Sequence, residues 1–181
     1  MPPIVTILLG GLGILIGLIL VGGLLIFTGS PTACAARDIP YSSATSQELR
    51  AQYKALALKG GTGNFSEAQA TSRGIDYVNE KSAPVEDLQV YFCPQGYAEA
   101  SGKVKILGLK SKVVVRGTLD LSGPQPQIVL QSVKAGNLPS AAAKPVVNAV
   151  LNAGNLKTLD IDERITQLTF SDGTAAVTVT R

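Results

Sequence analysis

Three kinds of hydrophobic pattern follow one another along the chain. The first is an apolar run from Ile4 to Phe27, "IVTILLGGLGILIGLILVGGLLIF". As a helix it would reach ~36 Å, against a bilayer core of ~30 Å, so it predicts a single transmembrane helix over residues 1–27. Residues 28–61 predict a juxtamembrane linker with one short helix. "TGSPTACAARDIPYSSAT" is polar and turn-rich. Between Ser46 and Lys59, Leu49, Tyr53 and Leu56 then recur at i, i+4 and i+7. The glycines of "KGGTGN" (59–64) read as a hinge, because neither phosphate-binding glycine pattern is complete there.

Ser66 followed by Gln69 is a capping-box signature, and Glu67 adds a favourable charge to the first turn. The helix it opens is predicted to end near Asn79, with Ala68, Ile75 and Val78 inward and Arg73, Asp76 and Glu80 outward. From Leu88 the period becomes two. "LQVYF", "YAEASGKVKI", "KSKVVVRGTLDL" and "PQIVLQSVKAG" read as four strands, and the segments around Asp172-Gly173 as a closing hairpin. Ser171 is expected opposite Thr174, which puts Leu168 and Phe170 on one face with Val177 and Ala175. Antiparallel strands with segregated helices make an α+β domain, expected as one transmembrane helix followed by a curved antiparallel sheet packed on two helices.

The second of those helices is unusually apolar. In "AGNLPSAAAKPVVNAVLNAG" (135–154), Ser140, Lys144, Asn148 and Asn152 form a single polar ribbon, and nearly everything else is apolar. Such a helix is expected to be covered on most sides, with Pro145 restarting or kinking it. Two readings of its surroundings are open. Either it is ordinary core against a curved sheet, or sheet and helix leave a groove for an acyl chain.

Composition narrows the function classes. The 181 residues carry 16 basic and 13 acidic side chains, a formal charge of +3, and no histidine. Near-balanced charge and few aromatics argue against nucleic acid as a partner. Without histidine there is no Ser-His or Cys-His pair and no histidine metal site. Asp160, Asp162 and Glu163 lack the spacing of a calcium loop. The reading is a protein that is not an enzyme and needs no cofactor or metal.

No Lys, Arg, Asp or Glu precedes Arg37. The apolar run is longer than the ~7–15 residues of a signal-peptide core, although Ala33-Cys34-Ala35 resembles a cleavage site. Positive charges after the run favour a cytoplasmic domain, whereas long C-terminal domains translocate largely regardless of charge. The expected location is the cell membrane, with the domain outside the cytoplasm. Gly13-xxx-Gly17 either docks against other transmembrane helices or reflects the general abundance of glycine in membrane helices.

The order of elements carries a resemblance. A helix opened by "FSEAQATS", a four-strand meander ending in "VLQSVKAGNLPS", a second helix and a final strand pair together resemble small TULIP-like domains, the tubular lipid-binding folds of the bacterial envelope. The likeness covers residues 62–181, with Gly136-Asn137-Leu138-Pro139 as its most specific piece. Gly74, Pro145 and the short chain depart from the pattern. The resemblance implies a long helix wrapped by a curved sheet, with membrane lipid held between them. The groove would be walled by Leu138, Ala142, Val146, Val147, Val150, Leu151, Val113 and Val115.

Two further sets of residues follow from the sequence. Cys34 and Cys93 would form a disulfide in an exported domain and remain two thiols in a cytoplasmic one. If Leu107-Gly108 is a turn, Lys103 faces Lys112 and Lys105 faces Lys110. Their repulsion would be relieved by anionic headgroups, or the lysines simply guard a strand edge. The expected function is membrane-anchored lipid binding or carriage. The alternative is a non-catalytic accessory subunit of a larger membrane complex.

Overall fold

A computed structural model describes residues 28–35, 37–106, 109–123, 126–153, 156 and 164–180. The predicted transmembrane helix and Gly13-xxx-Gly17 lie outside them. Among the described residues no helix is long and apolar enough to cross a membrane.

The domain is α+β, with three helices and two antiparallel sheets among the described residues. Helix α1 spans Ser43–Lys59. Ser42 caps it by accepting from the Thr45 N–H at 3.3 Å. Strand β1, Gly61–Ser66, follows at once. Ser66 closes that strand and also caps α2, Glu67–Glu80, through the complete capping box with Gln69. Strands β2 (Val85–Cys93), β3 (Tyr97–Ile106), β4 (Leu109–Asp120) and β5 (Gln127–Ala135) form a meander in the order β2-β3-β4-β5. Helix α3, Ser140–Ala153, then leads to β6, Arg164–Ser171, and β7, Thr174–Thr180.

Three expectations change here. The glycine-rich 59–64 segment is not a hinge: β1 pairs antiparallel with β7, and the second sheet runs β1-β7-β6. The strands therefore divide into two sheets and do not form one. The third concerns α3. It passes through Pro145 without a break, but it is not covered on most sides. Ala143 and Val147 are buried on β5, while Ala141, Ala142, Pro145 and Ala149 are exposed. Small side chains expose little apolar area, so the helix tolerates water on that face.

Cross-strand rows build the inner face of the four-stranded sheet. Val90, Ala100, Val115 and Val133 stand in register across all four strands. Val104, Val113, Leu130, Val133 and Ala135 pack with Ala143 and Val147 as the main core cluster. The sheets meet where Phe92 stacks on Phe170, ring centroids 5.4 Å apart. The Asp172-Gly173 turn also lies there. Gly173 adopts φ +75°, donates its N–H to the Phe92 carbonyl at 3.1 Å, and accepts from the Glu67 N–H at 3.3 Å. A residue with a Cβ would be strained in that conformation.

The segment expected as a linker is fastened along much of its length. Cys34 is joined to Cys93 by a disulfide, Cα atoms 6.0 Å apart. Ile39 and the Gln89 side-chain amide exchange two hydrogen bonds, of 2.9 and 3.1 Å. Arg37 pairs with Glu67 at 2.6 and 2.8 Å and with Asp172 at 3.0 Å. Farther back, the Asn137 amide donates to Thr28 Oγ1 at 3.2 Å.

Candidate functional site

The inward positions of β3 are Ala98, Ala100 and Gly102, where larger apolar side chains would ordinarily fill a core. Gly117 on β4, and Ala70 and Gly74 on α2, are equally small. The glycines are packed against by their neighbours, a Cβ at Gly74 meeting Leu88 and one at Gly117 meeting the Val129 carbonyl. Ala70, Ala98 and Ala100, by contrast, line a cavity of about 700 Å³ bounded by α1, α2, β3, β4 and the β6–β7 hairpin. A second cavity of about 280 Å³ lies between α2, the meander and α3. Gly74, Tyr77, Val90, Ala100, Val115 and Ile128 wall both. Small-molecule sites are typically ~300–1,000 Å³, mostly apolar, with a few placed polar groups.

The polar lining is sparse and sits in definite places. In the smaller cavity it is Ser101 and Tyr77. In the larger it includes Arg50 and Arg73 on the helices. Glu99 also borders it on β3, but alternates with Ala98 and Ala100 and turns its carboxylate to the other face of the sheet. Glu99 is itself buried. It accepts from the Arg116 guanidinium at 3.0 and 3.2 Å and from the Cys34 N–H at 2.7 Å. Arg116 also lies over the Tyr97 ring, 3.6 Å from its centroid. A carboxylate with three donors carries a satisfied charge, which is the condition for leaving it in a core.

The residues expected to wall a groove divide. Val113, Val115, Val147, Val150 and Leu151 line the smaller cavity, and Val115 reaches the larger as well. Leu138 packs against the core cluster. Exposed Ala142 and half-buried Val146 line neither. The larger cavity is centred on α2 rather than α3. The signal for it was the pair of small residues at alternate positions in "YAEASGKV", Ala98 and Ala100.

The lysine hairpin has the expected register, Lys103 opposite Lys112 and Lys105 opposite Lys110. Its repulsion is relieved from within the chain for two of the four: Lys103 pairs with Asp87 at 2.6 Å and Lys110 with Glu86 at 2.5 Å. Lys103 holds the Asp87 carboxyl below its usual range, and Asp87 raises the Lys103 ammonium in turn. Among the described residues no carboxylate pairs with Lys105 or Lys112, and both are exposed. Thr28 lies at this end of the sheet, because the turn that holds it follows Ala135, which pairs with Val113.

A Glu99 oxygen and the sulfurs of Cys34 and Cys93 lie within 4.8 Å of one another. Metal binding by cysteine requires thiolates, and these sulfurs are bonded to each other. Comparison of the chain with protein families, curated proteins and solved structures finds no match.

Proposed function

We propose that this is a membrane-anchored protein whose extracytoplasmic domain binds or carries lipid. The observation that carries the reading is the pair of apolar cavities with shared walls beneath the meander. Each methylene withdrawn from water into such a space contributes ~0.8 kcal/mol, so a chain of ten buried methylenes could supply ~8 kcal/mol before ordering costs. Three features support the rest. The apolar run Ile4–Phe27 is long enough to anchor the chain. The Cys34–Cys93 disulfide suits an oxidising compartment. Thr28, where the chain leaves that run, lies at the same end of the sheet as the lysine hairpin, which would set Lys105 and Lys112 against headgroups.

The test is native mass spectrometry of the full chain extracted gently from membranes, with lipid extraction alongside. A stoichiometric lipid adduct is the expected result. A bare mass that persists after phospholipid is added would overturn the reading. It would favour the accessory-subunit alternative, for which the exposed small residues Ala142, Pro145 and Ala149 of α3 offer a contact face.

A further inference from the structure

Helices α2 and α3 lie over the two outer strands of the four-stranded sheet. Thr71 of α2 engages the Val90 backbone on β2, donating its hydroxyl to the carbonyl at 3.4 Å and accepting from the N–H at 2.9 Å. Ala143 and Val147 of α3 pack on β5. The two middle strands therefore form the floor of a trough between the helices. One row of the sheet records it. Val133, on β5, is fully buried, whereas Val90, Ala100 and Val115, in register with it, are only half-buried. In a close-packed core the middle of such a row would be its driest part.

The two cavities meet on that row. Val90, Ala100 and Val115 wall both, with Tyr77 and Ile128 beside them. Ala100 is the smallest of the three row residues, so the passage over β3 is widest there. The lobes on either side differ in character. The larger carries Arg50 and Arg73, 51% and 26% exposed, which mark where water reaches the wall. Both guanidiniums donate to Glu80, so they are matched from within the chain. The smaller ends under α3 among Val113, Val147, Val150, Leu151 and Leu156, with no charged side chain among its described walls.

We infer that one hydrocarbon chain threads both lobes, entering through the larger and ending in the smaller, whose α3 wall sets the preferred chain length. The inference rests on the lipid-binding reading and narrows it to long single-chain lipids, with Val150 and Leu151 as the residues that measure the chain. The direction follows from polarity. A hydrated head has a place beside the exposed arginines and none under α3, where Val147, Val150 and Leu151 have nothing to offer a polar group. Two chains, one in each lobe, would need their linkage at the junction. Val90, Ala100, Val115 and Ile128 offer it no side-chain hydrogen bond, so its polar atoms would be stranded. A single chain has only methylenes at that point.

The experiment places the full-length chain in lipid nanodiscs carrying an equimolar series of glycerol monoesters, from decanoate to eicosanoate, with the dihexadecanoate diester. Native mass spectrometry reads which of them the protein keeps. One chain length should be favoured, and monoesters should exceed the diester. Each methylene left outside the cavity should lower retention by about fourfold, the equivalent of ~0.8 kcal/mol. Val150→Phe and Leu151→Phe should move the favoured length to shorter chains. Leu151→Ala should move it to longer ones, and opposite shifts are not what a misfolded protein gives. A favoured length that stays put in all three variants, equal retention of every length, or dominance of the diester would overturn the inference and leave the lipid-binding reading standing. No adduct of any kind would overturn both.

Discussion

Ser46 on α1 donates its hydroxyl to Asp76 on α2, and the two lie 30 positions apart in sequence. The same separation of 30 recurs at Arg37–Glu67, Ser42–Ser72 and Arg50–Glu80. From Ser42 to Arg50 each contact moves one turn along both partners. Ser46 and Ser72 are fully buried, and their small side chains let the helices approach closely. That interface positions both arginines of the cavity wall, so its stability bears directly on the site.

Acid should loosen this pair of helices. The Ser46 hydroxyl, then Tyr41 and the nearby Arg73 and Arg50, hold the Asp76 carboxyl below its usual range, against the opposing effect of burial. A carboxyl depressed in the folded state contributes stability that is full above its unfolded value of ~3.9 and lost as pH falls through the lower folded value. Amide exchange in α1 should therefore accelerate below about pH 4, and Asp76→Asn should flatten that dependence. Asp76→Ala should cost about 1–3 kcal/mol at neutral pH, because it strands the buried Ser46 hydroxyl. Chemical denaturation reads that difference.

Removing the disulfide should destabilise the domain substantially. Cys34 and Cys93 are 59 positions apart, and chain-entropy arguments for a loop of that length give about 4 kcal/mol, of which engineered cases often show less. Cys34→Ser/Cys93→Ser is expected to lower unfolding free energy by about 2–4 kcal/mol. It should also open residues 34–42 to protease before the sheets are cut. An unchanged denaturation midpoint would mean that Arg37 and Gln89 hold the segment by themselves.

Glu67 should be among the least replaceable residues of the fold. Its side chain is 7% exposed, receives the Phe92 N–H at 2.6 Å and pairs with Arg37. Glu67→Ala leaves a buried backbone donor and a guanidinium unmatched, for an expected cost of about 3–5 kcal/mol. Glu67→Gln keeps an acceptor for Phe92 and should cost less. Equal losses in the two variants, read by urea denaturation, would show that the charge and not the hydrogen bond is what matters.

Filling the cavity should abolish ligand retention without unfolding the protein. Ala100 walls both cavities and Ala98 the larger. Ala100→Leu and Ala98→Leu should keep or raise the melting temperature, because the added methylenes enter empty space. Both should reduce the lipid adduct. A lower melting temperature with the adduct intact would place the ligand elsewhere.

The lysine hairpin separates into two pairs with different expectations. Lys105→Gln/Lys112→Gln should weaken protection of the 103–112 amides on anionic nanodiscs, because each lysine near such a surface contributes ~1 kcal/mol. Lys103→Gln/Lys110→Gln should do less, since Asp87 and Glu86 already engage those charges. Hydrogen exchange on anionic and neutral discs makes the comparison.

Strong local signals were legible in the sequence: the Ser66–Gln69 capping box, the Ser171–Thr174 turn register and the Lys103–Lys112 pairing. Each is fixed by residues close in the chain. Strand β1 was not legible, because "GTGNFS" has little apolar alternation and its partner β7 lies far along the chain. Glu67 looked like an ordinary first-turn charge, since nothing near it in sequence announces Arg37 or the Phe92 amide. The larger cavity was hidden for a different reason. Ala70, Ala98 and Ala100 line it with little bulk, and a pattern built from apolar bulk does not register missing volume. Part of the smaller one was legible in Val147, Val150 and Leu151, because α3 advertises its apolar stripe.

If the apolar run anchors the chain as proposed, the contact between Asn137 and Thr28 sets how far the domain can travel. Thr28 stands directly after Phe27, the last residue of the apolar run. A free tether would let the domain sweep a volume of solvent and ferry cargo between surfaces. A domain fastened at Thr28, so close to an anchor, would have almost no slack and would ride on the bilayer at a fixed attitude. Its search would then be two-dimensional, with cargo arriving by lateral diffusion in the leaflet or by hand-over from another protein that docks beside it.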